Sequence, residues 1–185
     1  MRPIDYFLRS ASLSTNDVFL KDYKTEYSYK SAEVKIRLIA QALQARGLKQ
    51  DDSVAVYSPN NADAVICIFG AILAGASWVP VNIRNSVKSN IDYMKYVSTK
   101  WLFFDSSLET EIDSYMDKLT FLNQSICIDK NIEKHFSVED FIRTSADYHI
   151  NDSLDPFGSP DSIFSRWPTG GTTGPSKGVE MKNSN

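Results

Sequence analysis

SVAVYSPNNADAVICIFGAILAGASWVPV, Ser53 to Val81, contains a change of period that decides the fold. Its first six residues, Ser53–Ser58, are short, β-branched and apolar on both faces, the pattern of a strand buried in a parallel sheet. Pro59 and Asn60 end it. Asn61–Gly75 is a helix apolar nearly all round, and such a helix lies between layers. SWVPV, Ser77–Val81, is the next strand; Pro80 has no N–H to donate and predicts an edge or terminal position.

The alternation continues toward the C-terminus. SVKSNIDYMKYVS, Ser86–Ser98, aligns Val87, Ile91, Met94 and Val97 on one helical face. Trp101–Asp105 reads as a strand, Leu108–Leu119 as a helix and Ser125–Asp129 as a strand. Residues 53–129 thus alternate strand and helix three times, which predicts an α/β fold of mostly parallel β-sheet layers flanked by helices, with right-handed crossovers. Ligands in such sheets collect at the carboxyl ends of the strands. The turn Ser58–Asn61 has no glycine, so it is not a dinucleotide fingerprint.

Toward the N-terminus, residues 1–30 read as an irregular lead-in with a hairpin, Val18–Asp22 and Thr25–Tyr29 around Tyr23 and Lys24. Ser31 is the expected cap of a helix running to about Arg46. Its inner face is Ala32, Ile36, Ile39, Ala40 and Leu43, its outer face Lys35, Arg37, Gln41 and Gln44, and Gly47 closes it. Residues 130–165 read as a connection with one short helix, Ser137–Thr144, capped by Ser137, and then a polar, turn-rich stretch.

Composition narrows the function classes. The 185 residues are 42% apolar, and 20 Lys+Arg against 23 Asp+Glu give a net charge of −3 with the charges scattered. That is no phosphate-neutralising patch, so nucleic acid is excluded as a partner. No run approaches the ~18 apolar residues of a membrane span, and no signal peptide opens the chain, so a cytoplasmic protein is expected. Cys67 and Cys127 lie in apolar runs, as buried thiols do. His135 and His149 lack CxxC or HExxH context, which argues against a metal site.

Residues 166–185 hold the motif that carries chemistry: TGGTTGPSKGV, Thr169–Val179. Glycines let backbone N–H groups converge on an anion, hydroxyls add donors, and a lysine adds a mobile positive charge. The cofactor-binding candidates are Thr169, Gly170, Gly171, Thr172, Thr173, Gly174 and Lys177; no catalytic or metal-ligating residue is assigned. The spacing fits neither a Walker A loop nor GxGxxG, which disfavours kinases of the P-loop type and dinucleotide enzymes.

The stretch resembles the T-S-G-T-T-G-x-P-K-G-V phosphate motif of the adenylate-forming (AMP-binding) superfamily of acyl-CoA synthetases, luciferases and peptide-synthetase adenylation domains. Thr169, Gly171, Thr172, Thr173, Gly174, Lys177, Gly178 and Val179 match, while Gly170 replaces Ser and Ser176 replaces Pro. Upstream, Ala74, Gly75, Ala76, Trp78, Val79, Pro80, Val81 and Asn82 fill that family's A-G-A-x-[YW]-V-P-[LV]-[ND] segment, and Asp51 stands where Gly commonly precedes Asp52. The resemblance covers about Thr25 to Val179. It departs at Lys182–Asn185, where the family's T-H-x-N would bring a histidine to the acyl pocket.

The resemblance implies an ATP-dependent ligase that activates a carboxylic acid, of fatty or related acyl type, as an acyl-adenylate, releases pyrophosphate and passes the acyl group to CoA. Mg²⁺ is implied with ATP. The alternatives are a peptide-synthetase adenylation domain and a non-catalytic nucleotide-binding module. The resemblance also implies that residues 1–185 are the incomplete N-terminal part of a large domain. The adenine-stacking aromatic, the ribose-binding aspartate and the lysine of the C-terminal part of the same enzyme would all follow. The purified 185-residue chain is therefore expected to give no ATP–pyrophosphate exchange with any acid; measurable exchange would overturn that expectation.

Overall fold

A computed structural model of the chain describes residues 2–145, 159–169 and 177–184. The lead-in is not irregular: Pro3–Leu13 forms helix α1. Pro3 opens it, where a missing N–H costs nothing. The Asp5 carboxylate accepts from the Arg2 backbone N–H at 2.8 Å and pairs with the Arg2 guanidinium at 2.9 Å. So short a helix needs tertiary packing. Ile4, Phe7 and Ala11 supply it, and Phe7 meets the rings of Phe19, Phe69 and Tyr29 at 4.6, 5.6 and 5.8 Å. The i, i+3, i+7 spacing of those three positions was the readable signal.

The expected hairpin is present as β1 (Val18–Lys21) and β2 (Glu26–Ser28), antiparallel. Asp22 shapes its turn by accepting from the Lys24 and Thr25 amides, and its other oxygen accepts from the Ala62 amide. Helix α2 (Tyr29–Ala45) starts earlier than expected: Ser28, not Ser31, is the cap, and its Oγ accepts from the Ser31 amide at 3.2 Å. Gly47 leaves the helix at φ +83°, the left-handed conformation open to glycine. Gln44 does not point outward; it is buried and donates to the Ala74 carbonyl at 3.3 Å. That carbonyl lies at the C-terminus of the next helix and needs a donor.

The predicted alternation follows: β3 (Ser53–Tyr57), α3 (Ala62–Leu73), β4 (Ser77–Val81), α4 (Val87–Tyr96), β5 (Thr99–Phe104), α5 (Glu109–Ser114) and β6 (Gln124–Cys127); an unread two-residue strand, β7 (Phe136–Ser137), then precedes the expected short helix, α6 (Val138–Arg143). Asn61 caps α3, Ser86 caps α4 and, as expected, Ser137 caps α6. The helix read over Leu108–Leu119 is broken into 3₁₀ turns at both ends with α5 between them. Two strands went unread at the C-terminal side, β8 (Ile163–Pro168) and β9 (Gly178–Lys182).

The seven-stranded sheet has the order β7-β6-β5-β3-β4-β8-β9, all parallel except β9, which pairs antiparallel with β8. Alternate residues of β3 serve opposite cores. Val54 and Val56 pack with α1, α2, α3 and α6; Ala55 and Tyr57 pack with α4 and α5. β4 is interior, not an edge. Its pairing with β8 is confined to Trp78 and Ser165, so Pro80 falls beyond it, one residue from the strand's end. Cys67 and Cys127 are buried free thiols. Among the described residues no helix is long and apolar enough to cross a membrane.

Two tests follow from this packing. A Cβ at Gly70 on α3 would stand 2.6 Å from Ile39 Cγ2 and 2.8 Å from Ile39 Cβ on α2. Gly70→Ala is expected to cost ~1–3 kcal/mol, the usual range for overpacking, seen as a lower thermal midpoint; an unchanged midpoint would deny the close α2–α3 approach. At the other end of α2, burial and then a hydrogen bond to Asp63 push the Tyr27 phenol up to about 12, and burial does the same to Tyr93. Both phenols ionise less readily folded than unfolded, where the pKa is about 10. Their contribution is complete below pH 10 and is lost as pH rises toward 12. The Tyr27→Phe, Tyr93→Phe double variant should flatten that part of the stability–pH curve; a slope equal to wild type would contradict it.

Candidate functional site

The hairpin of β8 and β9 carries the glycine-rich loop. Its register brings Arg166 opposite Glu180, Trp167 opposite Val179 and Pro168 opposite Gly178. One rung further, the Thr169 amide donates to the Lys177 carbonyl at 2.8 Å and the Lys177 amide donates to Thr169 Oγ1 at 3.1 Å. Thr169 and Lys177, two of the predicted site residues, therefore face each other as a closed neck. The Thr169 hydroxyl is used as an acceptor there and still has a proton to donate. Gly170, Gly171, Thr172, Thr173 and Gly174 lie outside the described residues.

The neck is placed by the topology. β8 runs parallel to β4, so Thr169 stands at the carboxyl edge of the sheet. The turn after β3 leads to α3 on one face, and the turn after β4 leads to α4 on the other. Where two such turns diverge, a crevice opens, the usual ligand position in open α/β sheets. Here it has a volume of about 500 Å³ and is lined by Ser58, Asn60, Pro80, Asn82, Arg84 and Trp167 among others. A second cavity of about 470 Å³ adjoins it through Ser58 and Pro59 and runs under the β1–β2 hairpin, with Leu20, Val65, Ile68 and Trp78 in its wall.

Trp167 links the crevice to the neck. Its ring meets Trp78 edge-on at 5.2 Å and its Nε1 donates to Ser165 Oγ at 2.9 Å. β9 lies against the end of α4 at Gly178, where a Cβ would make only ordinary contacts with Val97 and the Tyr93 hydroxyl, at 3.4 and 3.6 Å. Neither Trp167 nor Arg84 was a candidate in the sequence. The available signal was the strand-like FSRWP and GVEMK on both sides of a glycine-rich loop, a hairpin pattern.

A second constellation is structural. Ser125 Oγ is 2.7 Å from His135 Nδ1, and His135 Nε2 is 2.9 Å from Asp113 Oδ1. The connectivity is that of a nucleophile, base and orienting acid. The His135 side chain, however, is 0% exposed and its ring packs on Phe104 at 4.8 Å, so a substrate does not reach the base. The three residues strut β6 against α5. Burial also pushes both cysteine thiols up, Cys67 furthest, which keeps them protonated. Among the described residues no group of three or more His, Cys, Asp or Glu could hold a metal ion.

Comparison with known proteins bears on the fold and the family. The chain is 25% identical to cyclosporin synthetase simA of Tolypocladium inflatum over 98% of its own length and 1% of the synthetase. It is 30% identical to the 3-[(3aS,4S,7aS)-7a-methyl-1,5-dioxo-octahydro-1H-inden-4-yl]propanoyl:CoA ligase of Rhodococcus jostii (strain RHA1), over 78% of this chain and 30% of the ligase. The anthranilate CoA ligase AuaEII, solved with anthranoyl-AMP, shares the fold at a TM-score of 0.84 and 19% identity, over 97% of this chain and 34% of that one. The chain thus spans about a third or less of the length of these relatives. The profile of the AMP-binding enzyme family matches residues 7–185. The chain belongs to the AMP-binding enzyme family, whose mostly parallel, helix-flanked sheet it shares.

Proposed function

We propose that this chain supplies the pyrophosphate cradle and part of the substrate crevice of an ATP-dependent acid–thiol ligase. The carrying observation is the closed Thr169–Lys177 neck at the carboxyl edge of the sheet, beside the crevice between the turns after β3 and β4. In the proposed reaction an oxygen of the substrate carboxylate bonds to the α-phosphorus of ATP. The bond to the bridging oxygen breaks, and pyrophosphate leaves with the electron pair. The CoA thiol, giving up its proton, then bonds to the acyl carbon of the adenylate, the bond from that carbon to the phosphate oxygen breaks, and AMP leaves.

The chain's own part is electrostatic. The leaving group is a polyanion, and donors fixed before reaction stabilise it without reorganisation. Lys177 brings the positive charge, Thr172 and Thr173 hydroxyl donors, and Gly170, Gly171 and Gly174 backbone amides. Thr169 holds the neck shut while offering its remaining proton. The family implies Mg²⁺ with ATP; among the described residues no group of three or more His, Cys, Asp or Glu stands ready to hold the ion. ATP as substrate suits a cytoplasmic setting. The adenine, ribose and acid contacts are assigned to the rest of the same enzyme, which is this chain's proposed partner.

CoA ligation of a fatty or related acid is the preferred reading, supported by the Rhodococcus ligase at 30% identity. A peptide-synthetase adenylation domain is the second reading, favoured by the near-complete cover of this chain in the cyclosporin synthetase match. Both use the same cradle. Titration calorimetry with pyrophosphate tests it: Lys177→Ala is expected to weaken binding roughly tenfold, the loss of one charge-assisted hydrogen bond. Equal affinity in wild type and variant would remove Lys177 from the site, and no binding to wild type would leave the loop a structural role only.

A further inference from the structure

The hairpin that carries the loop is fastened to the sheet by little ladder pairing, since β8 meets β4 only at Trp78 and Ser165. Its root is fastened in another way. Arg166 enters a cleft below the amino ends of β3 and β5 and donates through one guanidinium nitrogen to the Asp51 carbonyl at 2.9 Å and to Ser53 Oγ at 2.7 Å. Its Nε meets Glu180 on β9 at 3.2 Å. Ser53 Oγ in turn donates to the Val97 carbonyl at 2.8 Å, and the Tyr93 hydroxyl donates to the Arg166 carbonyl at 3.1 Å.

Backbone strain collects at the same place. Two non-glycine residues have positive φ among the described ones, Asp51 at +63° and Ser98 at +54°, and both line this cleft. A left-handed conformation is unfavourable for an L-residue, though Asp tolerates it better than most. At Asp51 the side chain has an evident use. Its Oδ1 accepts the amide of Ile163, the first residue of β8, at 3.0 Å, while its own amide donates to the Gly75 carbonyl at 2.9 Å. A glycine here, the residue the family resemblance favours, would relax the backbone and lose that bond.

We infer that Asp51 is a positioning residue: it accepts backbone strain so that its carboxylate and carbonyl together fix the root of the β8–β9 hairpin, and through it the Thr169–Lys177 neck. Two anchors at residues 163 and 166 hold one strand at two points about 10 Å apart, which sets the direction in which the loop leaves the sheet. The effect on phosphate binding rests on the proposed cradle; the effect on the hairpin does not.

The test uses the full 185-residue chain and three measurements, amide hydrogen exchange at Ile163 and Thr169, thermal unfolding, and pyrophosphate titration. Asp51→Gly exchanges a strained residue for a relaxed one, so the unfolding midpoint should move little. Exchange at both amides should speed up, roughly tenfold at Ile163 for one lost hydrogen bond, and pyrophosphate binding should weaken. Asp51→Asn keeps both the left-handed tolerance and the Oδ1 acceptor, and should restore wild-type values in all three. Wild-type exchange in Asp51→Gly overturns the inference. Faster exchange confined to Ile163, with Thr169 and pyrophosphate affinity unmoved, also overturns it, because the bond would then be local. Faster exchange at both amides in a chain that binds no pyrophosphate even as wild type sinks the cradle and keeps the anchor.

Discussion

Strand β3 has no exposed residue: all five of its side chains, Ser53 to Tyr57, are buried. A strand buried on both faces needs a helical layer on each side, and most of the molecule follows from meeting that need. The chain leaves β3 through α3 on one face to reach β4, then returns through α4 on the other face to reach β5 beyond β3. Right-handed crossovers taken in opposite directions put α3 and α4 on opposite faces. The two turns therefore diverge, and the crevice beside Asn60 and Asn82 is the space between them. Each large aliphatic side chain buried in these layers contributes ~1.5–3 kcal/mol, so the crevice is held by the core itself.

The central unit was legible because its residues serve a single layer each. Val54 and Val56 against Ala55 and Tyr57 read as a doubly buried strand, and the apolar circumference of Asn61–Gly75 read as an enclosed helix. Helix α1 was obscured because its inner positions, Ile4, Phe7 and Ala11, stand beside exposed apolar residues, Tyr6 and Leu13, that blur the face, and aromatic contacts to Phe19 and Phe69 fix it. Gln44 was misplaced because it was read by its type, while its place was set by a distant partner, the helix-end carbonyl at Ala74. Of the two places open to Pro80, an edge or a strand end, the structure shows the second, one residue from the end of an interior strand.

For the candidate site, the sequence points to a loop but not to its mounting. TGGTTGPSKGV announces anion-binding chemistry by composition, and Lys177 stands out as its charge. That Thr169 and Lys177 close a hairpin neck depends on β8 and β9 pairing across residues 170–176. The Arg166 anchor spans more than a hundred residues of sequence to Asp51 and leaves no local trace. The division of labour is physical. A loop that must wrap an anion is built from small residues with little packing of their own, so its direction has to come from the strands that carry it.

The account's central claim is that the hairpin neck at the carboxyl edge is where phosphate oxygens bind. Backbone amide chemical shifts followed by NMR as pyrophosphate is added to the full chain test this most directly. The account predicts saturable shifts at Thr169 and Lys177, with the amides of Ser125 and His135 unmoved. Shifts centred on the cleft around Ser98 and Lys100 at the opposite edge of the sheet, or no saturable shift at the neck, would contradict it.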